Sequence, residues 1–271
     1  MKEASTKLSP IQCYEDGLPI YFLTGRKYIH QTLFCIRSLV NVSSERFCIY
    51  LVDDGSFDNA LISRISKQLP GSIPIGHSEM EKRVNQVLPK DQFPALNRKI
   101  AEYPHIKKIT NVHLLSHSNP YKLVLDSDML FWQEPTSMLT WLKNPNQPLH
   151  MLDCAEAYGY PIDALSQLAG HSVEELVNVG AIALKTSAID WAVVEAWIVS
   201  LEDQFGKSYY LEQALSAMLL GAGKSVVLSR AAYIVNPTPE DILQFRGILH
   251  HYVDVSKKGY YRTAWRAVAN V

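Results

Sequence analysis

An apolar run is broken by two carboxylates in the stretch Tyr121-Lys122-Leu123-Val124-Leu125-Asp126-Ser127-Asp128-Met129-Leu130-Phe131-Trp132. Asn119-Pro120 precedes the run, which is typical of a short strand buried on both faces. Side chains two residues apart in extended backbone point to the same side, so Asp126 and Asp128 can converge at the carboxyl end of the strand, where open α/β sheets bind ligands. Asp-x-Asp also occurs by chance on solvated loops, but paired carboxylates after a buried strand suit a hard divalent ion such as Mg2+ or Mn2+, shared with phosphate oxygens.

The segments before this strand predict a parallel sheet. Strands are indicated at residues 20–23 and 47–52, and a helix with a single apolar stripe is indicated between them, at about residues 28–40. A strand, a helix and a strand in this order form a βαβ unit, and such units build parallel sheets. The predicted fold class is therefore α/β, with a central, mostly parallel sheet flanked by helices.

Composition and charge exclude several classes of protein. The chain has 271 residues, of which 47% are hydrophobic and 20% are charged, and its formal net charge is −1. These values suit one large domain and give no sign of a nucleic-acid binder. The four cysteines lack CxxC spacing, so neither a zinc site nor a disulfide framework is expected. Because no signal-peptide core or apolar span is found, we expect no integral membrane segment and a cytoplasmic location.

The segment Leu-Asp-Ser-Asp-Met-Leu-Phe at residues 125–131 resembles the DxD motif of nucleotide-sugar-dependent glycosyltransferases with the GT-A fold. In that family the aspartates hold a divalent ion, Mn2+ or Mg2+, against the diphosphate of a sugar donor that is often a UDP-sugar. The resemblance implies that Asp126 and Asp128 bind the ion and that Ser127 lies beside the donor. It spans roughly residues 20–260 as short motifs in the same order, and it is to enzymes like glycogenin and the bacterial galactosyltransferases.

Short polar turns follow the first two predicted strands. Thr24 and Gly25 close the first strand, and Asp53-Asp54-Gly55-Ser56 closes the second. The second turn resembles the acidic turn that binds the base or ribose of the nucleotide in many GT-A enzymes, and a carboxylate can accept a hydrogen bond from either. An ordinary Asp-Gly turn that caps the next helix is an equally good interpretation, and the two are compatible if Asp53 and Asp54 divide the roles. These turns supply four candidate nucleotide contacts.

Two further motifs of the family lie on either side of the DxD segment. The family often carries a basic residue in the stretch before the DxD strand, which implies a donor contact for Lys108 or Arg98, although a helical lysine is usually solvated. Asn178 and Gly180 match an Asn-x-Gly that begins a strand in the catalytic centre. Glycine lets backbone approach a ligand closely and asparagine can bond sugar hydroxyls, but the pair also fits a plain turn.

An acid and an amide open a helix later in the chain. Glu212 and Gln213 resemble the acidic-Gln pair that faces the acceptor and the anomeric carbon in the same enzymes, where the acid is commonly Asp. The acid could equally complement the dipole of the helix. If configuration is inverted, Asp153 or Glu212 could act as the base, and if it is retained, Gln213 or Glu212 could assist attack. Both outcomes remain open.

The C-terminal part resembles the segment that completes the donor site in the family. There a His-aromatic pair supplies a third metal ligand, and a lysine and glycine just beyond hold the diphosphate. His251-Tyr252 fits that register better than His250, and Lys257 or Lys258 would contact phosphate. The chain has Lys-Gly-Tyr-Tyr where the family usually has Lys-Pro-Trp, which leaves the choice between the two histidines open.

We therefore expect a metal-dependent, hexosyltransferase-like glycosyltransferase that moves a sugar from a nucleotide-diphosphate sugar to an acceptor that the sequence does not identify. Residues 1–17 would form an N-terminal arm, and residues 18–271 a single GT-A-like catalytic domain. Its nucleotide-binding half would span about residues 18–135 and its acceptor-binding half about residues 136–271. The alternatives are a sugar-nucleotide nucleotidyltransferase and a catalytically inactive nucleotide-sugar-binding protein. Nothing in the sequence bears on the oligomeric state.

Overall fold

The computed structural model describes residues 1–116, 119–221 and 223–269. Within these residues the strands are β1 (Leu18–Thr24), β2 (Phe47–Asp53), β3 (Ile73–Ile75), β4 (Tyr121–Leu125), β5 (Met129–Phe131), β6 (Leu149–Leu152), β7 (Val177–Lys185), β8 (Val226–Leu228), β9 (Tyr233–Val235) and β10 (Leu249–His251). They form a seven-stranded sheet of order β3-β2-β1-β4-β7-β6-β8 and a three-stranded sheet of order β5-β10-β9. The predicted α/β class and mostly parallel sheet are confirmed.

Parallel pairing aligns the ends of the first strands. β1 pairs with β2 from Leu18↔Phe47 to Thr24↔Asp53, and with β4 through Tyr21↔Val124. The carboxyl ends of these strands therefore meet at one edge, where their polar turns follow. β7 is the exception, because it runs antiparallel to both β4 and β6. That reversal places the start of β7 beside the end of β4.

The central sheet is buried on both faces. Alternate residues of β1 and β4 belong to different hydrophobic clusters: Ile20 and Leu123 face one cluster, and Tyr21 and Val124 face the other. This alternation is the period-2 pattern of a strand. Burying each large apolar side chain stabilises the fold by about 1.5–3 kcal/mol, so the edge that carries the polar turns belongs to a rigid element.

Helices cover the sheet on both faces. They are α1 (Lys2–Thr6), α2 (Ile29–Val42), α3 (Asn59–Gln68), α4 (His77–Val87), α5 (Pro94–Glu102), α6 (Thr110–His113), α7 (Thr136–Lys143), α8 (Ile162–Ala169), α9 (Trp191–Phe205), α10 (Leu211–Leu219), α11 (Pro239–Gln244), α12 (Lys257–Gly259) and α13 (Trp265–Ala269). Short 3-10 helices occupy Pro104–Lys108, Thr186–Ala188 and Asp254–Ser256, and a π-helical turn occupies Tyr260–Ala264. Helix α9 begins at Trp191, where Asp190 caps it by accepting from the N–H of Ala192 at 2.9 Å.

The three-stranded sheet brings the C-terminal part of the chain back to the DxD segment. β10 pairs antiparallel with β5, so that His251 lies opposite Met129 and His250 opposite Leu130. The N–H of Tyr252 donates to the carbonyl of Asp128 at 2.9 Å. The apolar run at residues 121–132 is therefore two strands in different sheets, with the two aspartates at their junction.

The N-terminal segment is packed against the domain. Helix α1 is followed by an extended stretch in which the N–H groups of Ile11 and Cys13 donate to carbonyls of Gln68 and Pro70. Ile11 and Cys13 are buried in the main hydrophobic cluster. At the other end, the predicted domain extends to residue 271, and its last two residues lie outside the described part of the chain.

Candidate metal centre and active site

Three side chains that could bind a cation meet where β4, β5 and β10 come together. Asp126, Asp128 and His251 each offer one ligand atom, and these atoms lie within 4.8 Å of one another. The Nε2 atom of His251 is 3.4 Å from Oδ1 of Asp128 and 3.7 Å from Oδ2 of Asp126. The two aspartates are partly exposed and the histidine is buried. The junction between the two sheets thus builds an open carboxylate pair with an imidazole behind it.

Charge within this cluster favours the ionised forms. Burial opposes ionisation of Asp128, but a hydrogen bond and positive charge from His251 outweigh it and lower the pKa of that carboxyl. Burial likewise opposes protonation of His251, and Asp128 and Asp126 outweigh it and raise the pKa of that imidazole. These are the shifts expected of opposite charges in contact.

The residues present fit a divalent cation. Two carboxylates and one imidazole within 4.8 Å of one another match a small ion's coordination sphere and leave positions open on the exposed side. Carboxylates suit Mg2+ and Mn2+. A cation here would also relieve the repulsion between the two aspartates.

His250 lies on the opposite face of β10 from His251. Its Nε2 atom is 2.6 Å from the carbonyl oxygen of Arg246, and its Nδ1 atom is 3.1 Å from the hydroxyl of Tyr252. Burial lowers the pKa of His250 to about 4, so the ring is neutral and held by its own partners. The structure therefore brings only one of the two candidate histidines, His251, to the carboxylates.

Lys108 connects the carboxylate pair to α10. Its Nζ atom is 2.9 Å from Oδ1 of Asp126 and 3.4 Å from Oε2 of Glu212, and the side chain is 6% exposed. Burial opposes the charge on Lys108, but both carboxylates outweigh it and raise the pKa of the ammonium. Burial raises the pKa of Glu212 to about 7, against the opposing effect of Lys108. Lys108, one of the two basic residues expected to contact the donor, thus lies beside the carboxylate pair. The other candidate, Arg98, pairs with Glu202 at 2.5 Å.

Asp153, Asn178 and Gln213 form one buried hydrogen-bonded group beside His251. Oδ2 of Asp153 accepts from Nδ2 of Asn178 at 2.8 Å and from Nε2 of Gln213 at 3.0 Å. Its Oδ1 atom accepts from the N–H of Cys154 at 2.7 Å. Gln213 also donates to the carbonyl of Val177 at 2.9 Å, so both N–H groups of its amide are used within the protein.

Asn178 and Gly180 hold both ligand-bearing segments. Oδ1 of Asn178 accepts from the N–H of Gly180 at 2.9 Å and lies 3.0 Å from Nδ1 of His251. The carbonyl of Gly180 accepts from the N–H of Asp126 at 2.7 Å. A Cβ atom at Gly180 would overlap the imidazole of His251. Glycine is needed here for the close approach of β7 to β10.

The two candidate lysines near the C terminus point to different places. Nζ of Lys257 is 3.5 Å from Oδ2 of Asp128, and the side chain is about half exposed. Lys258 instead lines a groove of about 750 Å³ on another face, together with Leu243 and Arg262. Lys257 is therefore the lysine that the fold places beside the carboxylate pair.

The acidic turn after β2 is tightly hydrogen-bonded. Oδ1 of Asp53 accepts from the N–H groups of Gly55, Ser56 and Phe57 at 2.7–2.9 Å, and its Oδ2 atom is buried with no hydrogen-bond partner among the described residues. Oδ1 of Asp54 accepts from the Ser56 hydroxyl at 2.5 Å. The helix that follows is capped by Asp58, whose Oδ1 accepts from the N–H of Leu61, and not by the Asp-Gly turn itself.

Gly25 and Asp54 are in direct contact at the ends of β1 and β2, because a Cβ atom at Gly25 would overlap the Asp54 carboxylate. Thr24 is fully buried, and its hydroxyl lies 2.7 Å from that of Thr32, which in turn lies 2.8 Å from that of Ser127. This hydroxyl chain ties the end of β1 to the residue between the two aspartates. Thr24 and Ser127 thus lie beneath the site, and Gly25 and Asp54 at its edge.

Sequence reasoning missed two residues that shape the site. Lys107 is buried, and its Nζ atom donates to the carbonyl of Asp54 at 2.7 Å, which pins the acidic turn. Thr32 completes the hydroxyl chain from within α2. The adjacent pair Lys107-Lys108 was a signal for the first, and a threonine on the otherwise apolar face of α2 was a signal for the second.

Among the described residues, none of the helices has the length and apolar character needed to cross a membrane.

No protein-family model matches the sequence, and no curated protein matches it. Solved structures do. The galactosyltransferase LgtC, in complex with donor and acceptor sugar analogues, is similar with a TM-score of 0.58 and 12% identity over 93% of this chain and 95% of that one. Mouse xyloside xylosyltransferase 1, in its apo form, is similar with a TM-score of 0.56 and 12% identity over 89% of this chain and 98% of that one.

The glycosyltransferase GlyE of Streptococcus pneumoniae TIGR4 is similar with a TM-score of 0.51 and 13% identity, over 94% of this chain and 62% of that one. The likeness to these proteins covers 89–94% of the present chain. At such identities the likeness establishes the fold. The chain has the GT-A fold, as the DxD segment predicted.

Proposed function

We propose that the protein is a divalent-cation-dependent glycosyltransferase that moves a sugar from a nucleoside-diphosphate sugar to a hydroxyl acceptor. The observation that carries the proposal is the meeting of Asp126, Asp128 and His251 at the carboxyl edge of a GT-A sheet, with ligand atoms within 4.8 Å of one another. Paired carboxylates with an imidazole suit a cation, and the exposed side leaves room for diphosphate oxygens. The fold likeness to LgtC, whose structure holds donor and acceptor sugar analogues, is consistent with this assignment.

Charge neutralisation on the departing diphosphate would be the main catalytic effect. A cation held by Asp126, Asp128 and His251 would act as a Lewis acid on the donor's diphosphate. Lys257, 3.5 Å from Asp128 and about half exposed, would add a second positive group on the solvent side. Fixed charges of this kind stabilise a developing anion without reorganisation at the moment of reaction.

Glu212 is the carboxylate that we assign to proton transfer with the acceptor hydroxyl. Burial raises its pKa to about 7, which suits a group that must both take and release a proton near neutral pH. Asp153, the other candidate, accepts three N–H hydrogen bonds and serves to hold Asn178 and Gln213. Lys108 would keep Glu212 and Asp126 in fixed relation.

The edge formed by Gly25 and Asp54 is our proposed nucleotide contact. Asp54 is partly exposed at the carboxyl end of β2, and a carboxylate can accept from a uracil N–H or a ribose hydroxyl. We therefore propose a UDP-sugar as donor. The N-terminal half would bind this nucleotide, and the half that carries Asn178 and Glu212 would face the acceptor.

Ligand-dependent thermal stability tests the donor and the cation together. A ligand that binds only the folded state raises the melting temperature according to its concentration and dissociation constant. We expect UDP with Mn2+ to raise the melting temperature more than GDP, CDP or ADP with Mn2+, and we expect EDTA to abolish that effect. Equal stabilisation by UDP with and without Mn2+ would contradict the cation assignment, and preference for GDP would contradict the donor.

Turnover tests the activity itself. With Mn2+, the protein should release UDP slowly from at least one UDP-sugar without added acceptor, since water can replace the acceptor hydroxyl. The Asp126→Asn and Asp128→Asn variants should lose this release while keeping the fold. Formation of pyrophosphate-dependent products instead would identify a nucleotidyltransferase, and UDP-sugar binding without turnover would identify a binding protein.

A further inference from the structure

A continuous line of buried hydrogen bonds leads from Asp153 through Asn178 to His251. Nδ2 of Asn178 donates to Oδ2 of Asp153 at 2.8 Å, and Oδ1 of Asn178 lies 3.0 Å from Nδ1 of His251. The exposed fractions of the three residues are 7%, 3% and 4%. In this environment each polar group depends on its protein partner.

The hydrogen-bond partners of the Asn178 amide determine which of its two terminal atoms is the nitrogen and which is the oxygen. An ionised Asp153 carboxylate can only accept, so the amide nitrogen must face it. The backbone N–H of Gly180 can only donate, and it lies 2.9 Å from the other amide atom, which must therefore be the oxygen. Two independent partners thus point the oxygen of Asn178 towards His251.

That orientation decides which nitrogen of His251 carries the proton. The oxygen of Asn178 can only accept, so Nδ1 of His251 must be protonated to bond it. In the neutral ring, Nε2 then keeps its lone pair, and Nε2 is the atom that lies 3.4 Å from Asp128 and 3.7 Å from Asp126. The opposite tautomer would place an N–H between the two carboxylates and would block the ring as a ligand.

We infer that Asn178 is a positioning residue, oriented by Asp153, that fixes His251 in the Nδ1–H tautomer and so makes Nε2 the atom available to a cation. The inference rests on the cation site of the proposed function. The inference gives the Asn-x-Gly pair a role in this chain. Gly180 leaves room for the His251 ring, and Asn178 keeps the proton of that ring on Nδ1. Partners that orient ligating histidines in this way commonly change metal affinity by about 10–100-fold when they are removed.

The tautomer itself can be measured in the cation-free protein. Ring ¹⁵N signals distinguish a protonated from an unprotonated nitrogen, and the spectrum of His251→Gln identifies which of the nine histidines is observed. At a pH where the same spectra show the ring to be neutral, we expect Nδ1–H in the parent protein and Nε2–H in Asn178→Leu. Nδ1–H in both proteins, or Nε2–H in the parent, would overturn the inference.

Cation affinity gives the second readout. We expect Asn178→Leu to weaken Mn2+ binding by about 10–100-fold in calorimetry. Asn97→Leu is the matched control, because it removes an amide that donates to Leu88 and Phe93 within the helical region, and it should bind Mn2+ as the parent does. Parent-like affinity in Asn178→Leu would overturn the inference. A parent protein that binds neither Mn2+ nor Mg2+ would instead contradict the proposed function, and the ¹⁵N spectra would still decide the tautomer.

An exchange of the acid and the amide separates positioning from simple packing. Asp153→Asn alone removes one of the two partners that orient the Asn178 amide, which weakens its preference for presenting the oxygen to His251. In the double variant Asp153→Asn with Asn178→Asp, the new carboxylate at position 178 is again an acceptor for His251 and Gly180. The new amide at position 153 can donate to that carboxylate. We expect the single variant to weaken Mn2+ binding and the double variant to recover most of it. If the double variant melts as the parent does but does not recover Mn2+ binding, the positioning role of Asn178 and Asp153 would be overturned.

Discussion

At the scale of single residues, the site depends on which face of β10 each histidine occupies. His250 and His251 are adjacent, and adjacent side chains in a strand point to opposite sides. Hydrogen bonds hold His250 against Arg246 and Tyr252, whereas His251 faces the two carboxylates. The two residues therefore contribute to different properties of the molecule.

Alanine substitutions should separate these contributions. We expect His251→Ala to raise the Mn2+ concentration needed for UDP release by tenfold or more, with little change in melting temperature. We expect His250→Ala to lower the free energy of unfolding by about 1–3 kcal/mol, because it leaves a buried carbonyl and hydroxyl without their partner. Enzyme titration with Mn2+ and chemical denaturation measure the two effects, and the reverse pattern would assign the ligand to His250.

Lys108 has a different kind of importance, because its buried ammonium pairs with the buried Glu212 and with the partly exposed Asp126. Removing one partner of a buried ion pair typically costs about 3–5 kcal/mol, since the charge left behind has no compensation. We expect Lys108→Met to destabilise the protein by about that amount, and Lys108→Met with Glu212→Gln to recover part of it. Denaturation by urea would measure both. If the double variant were no more stable than the single one, the loss of stability in Lys108→Met would not come from an uncompensated charge on Glu212.

At the scale of elements, the decisive contact is the approach of β7 to the junction of β4, β5 and β10. β7 supplies the carbonyl that fixes Asp126 and the amide that faces His251. Only a residue without a side chain at position 180 allows the two strands to come this close. The geometry of the cation site is therefore a property of strand spacing as well as of its ligands.

Gly180→Ala tests this spacing. The new methyl group would push against the His251 ring, so we expect cation affinity to fall by at least tenfold while the protein still folds. Gly76→Ala is the control, because a Cβ atom there meets open space at the start of α4. We expect that change to cost no more than about 1 kcal/mol as a helix cap and to leave Mn2+ binding unaltered. Equal Mn2+ affinity in both variants would show that β10 can move away.

The elements differ in how far the sequence predicts them. Buried strands such as β1, β2 and β4 could be predicted because a short apolar run between polar turns is typical of a strand in the core of a sheet. The separate β5 could not, since residues 129–131 continue the same apolar run and their change of sheet depends on pairing with β10, about 120 residues later in the chain. The antiparallel direction of β7 was also hidden, because direction is set by the chain's path and not by local pattern.

At the scale of the whole molecule, the site joins segments from both halves of the sequence. The carboxylate pair could be predicted from its local pattern, but the contacts of Lys108 with Glu212 and of Asn178 with His251 required the fold, because hydrogen bonds across 70 or more residues leave no local trace. The family resemblance supplied candidate residues. It did not distinguish Lys257 from Lys258, since neighbouring side chains look alike until the backbone fixes their directions.

Histidines that are buried and neutral contribute to the pH dependence of stability. Burial lowers the pKa of His113 to about 3 and that of His30 to about 4, from an ordinary value of 6.5. Between these values the unfolded chain binds protons that the folded chain does not, so the free energy of unfolding falls as the pH drops below about 6.5. Above that pH neither state is protonated and the contribution is constant.

We therefore expect His113 to contribute a loss of stability on the order of 1–2 kcal/mol between about pH 7 and about pH 5. Replacing it by glutamine, which can still bond the Thr186 hydroxyl that lies 2.9 Å from Nδ1, should flatten the dependence by that amount. His77→Gln, at an exposed position in α4, is the control for replacing a histidine by glutamine. Urea denaturation across this pH range measures the free energies, and a slope unchanged in His113→Gln would place the acid sensitivity in other groups.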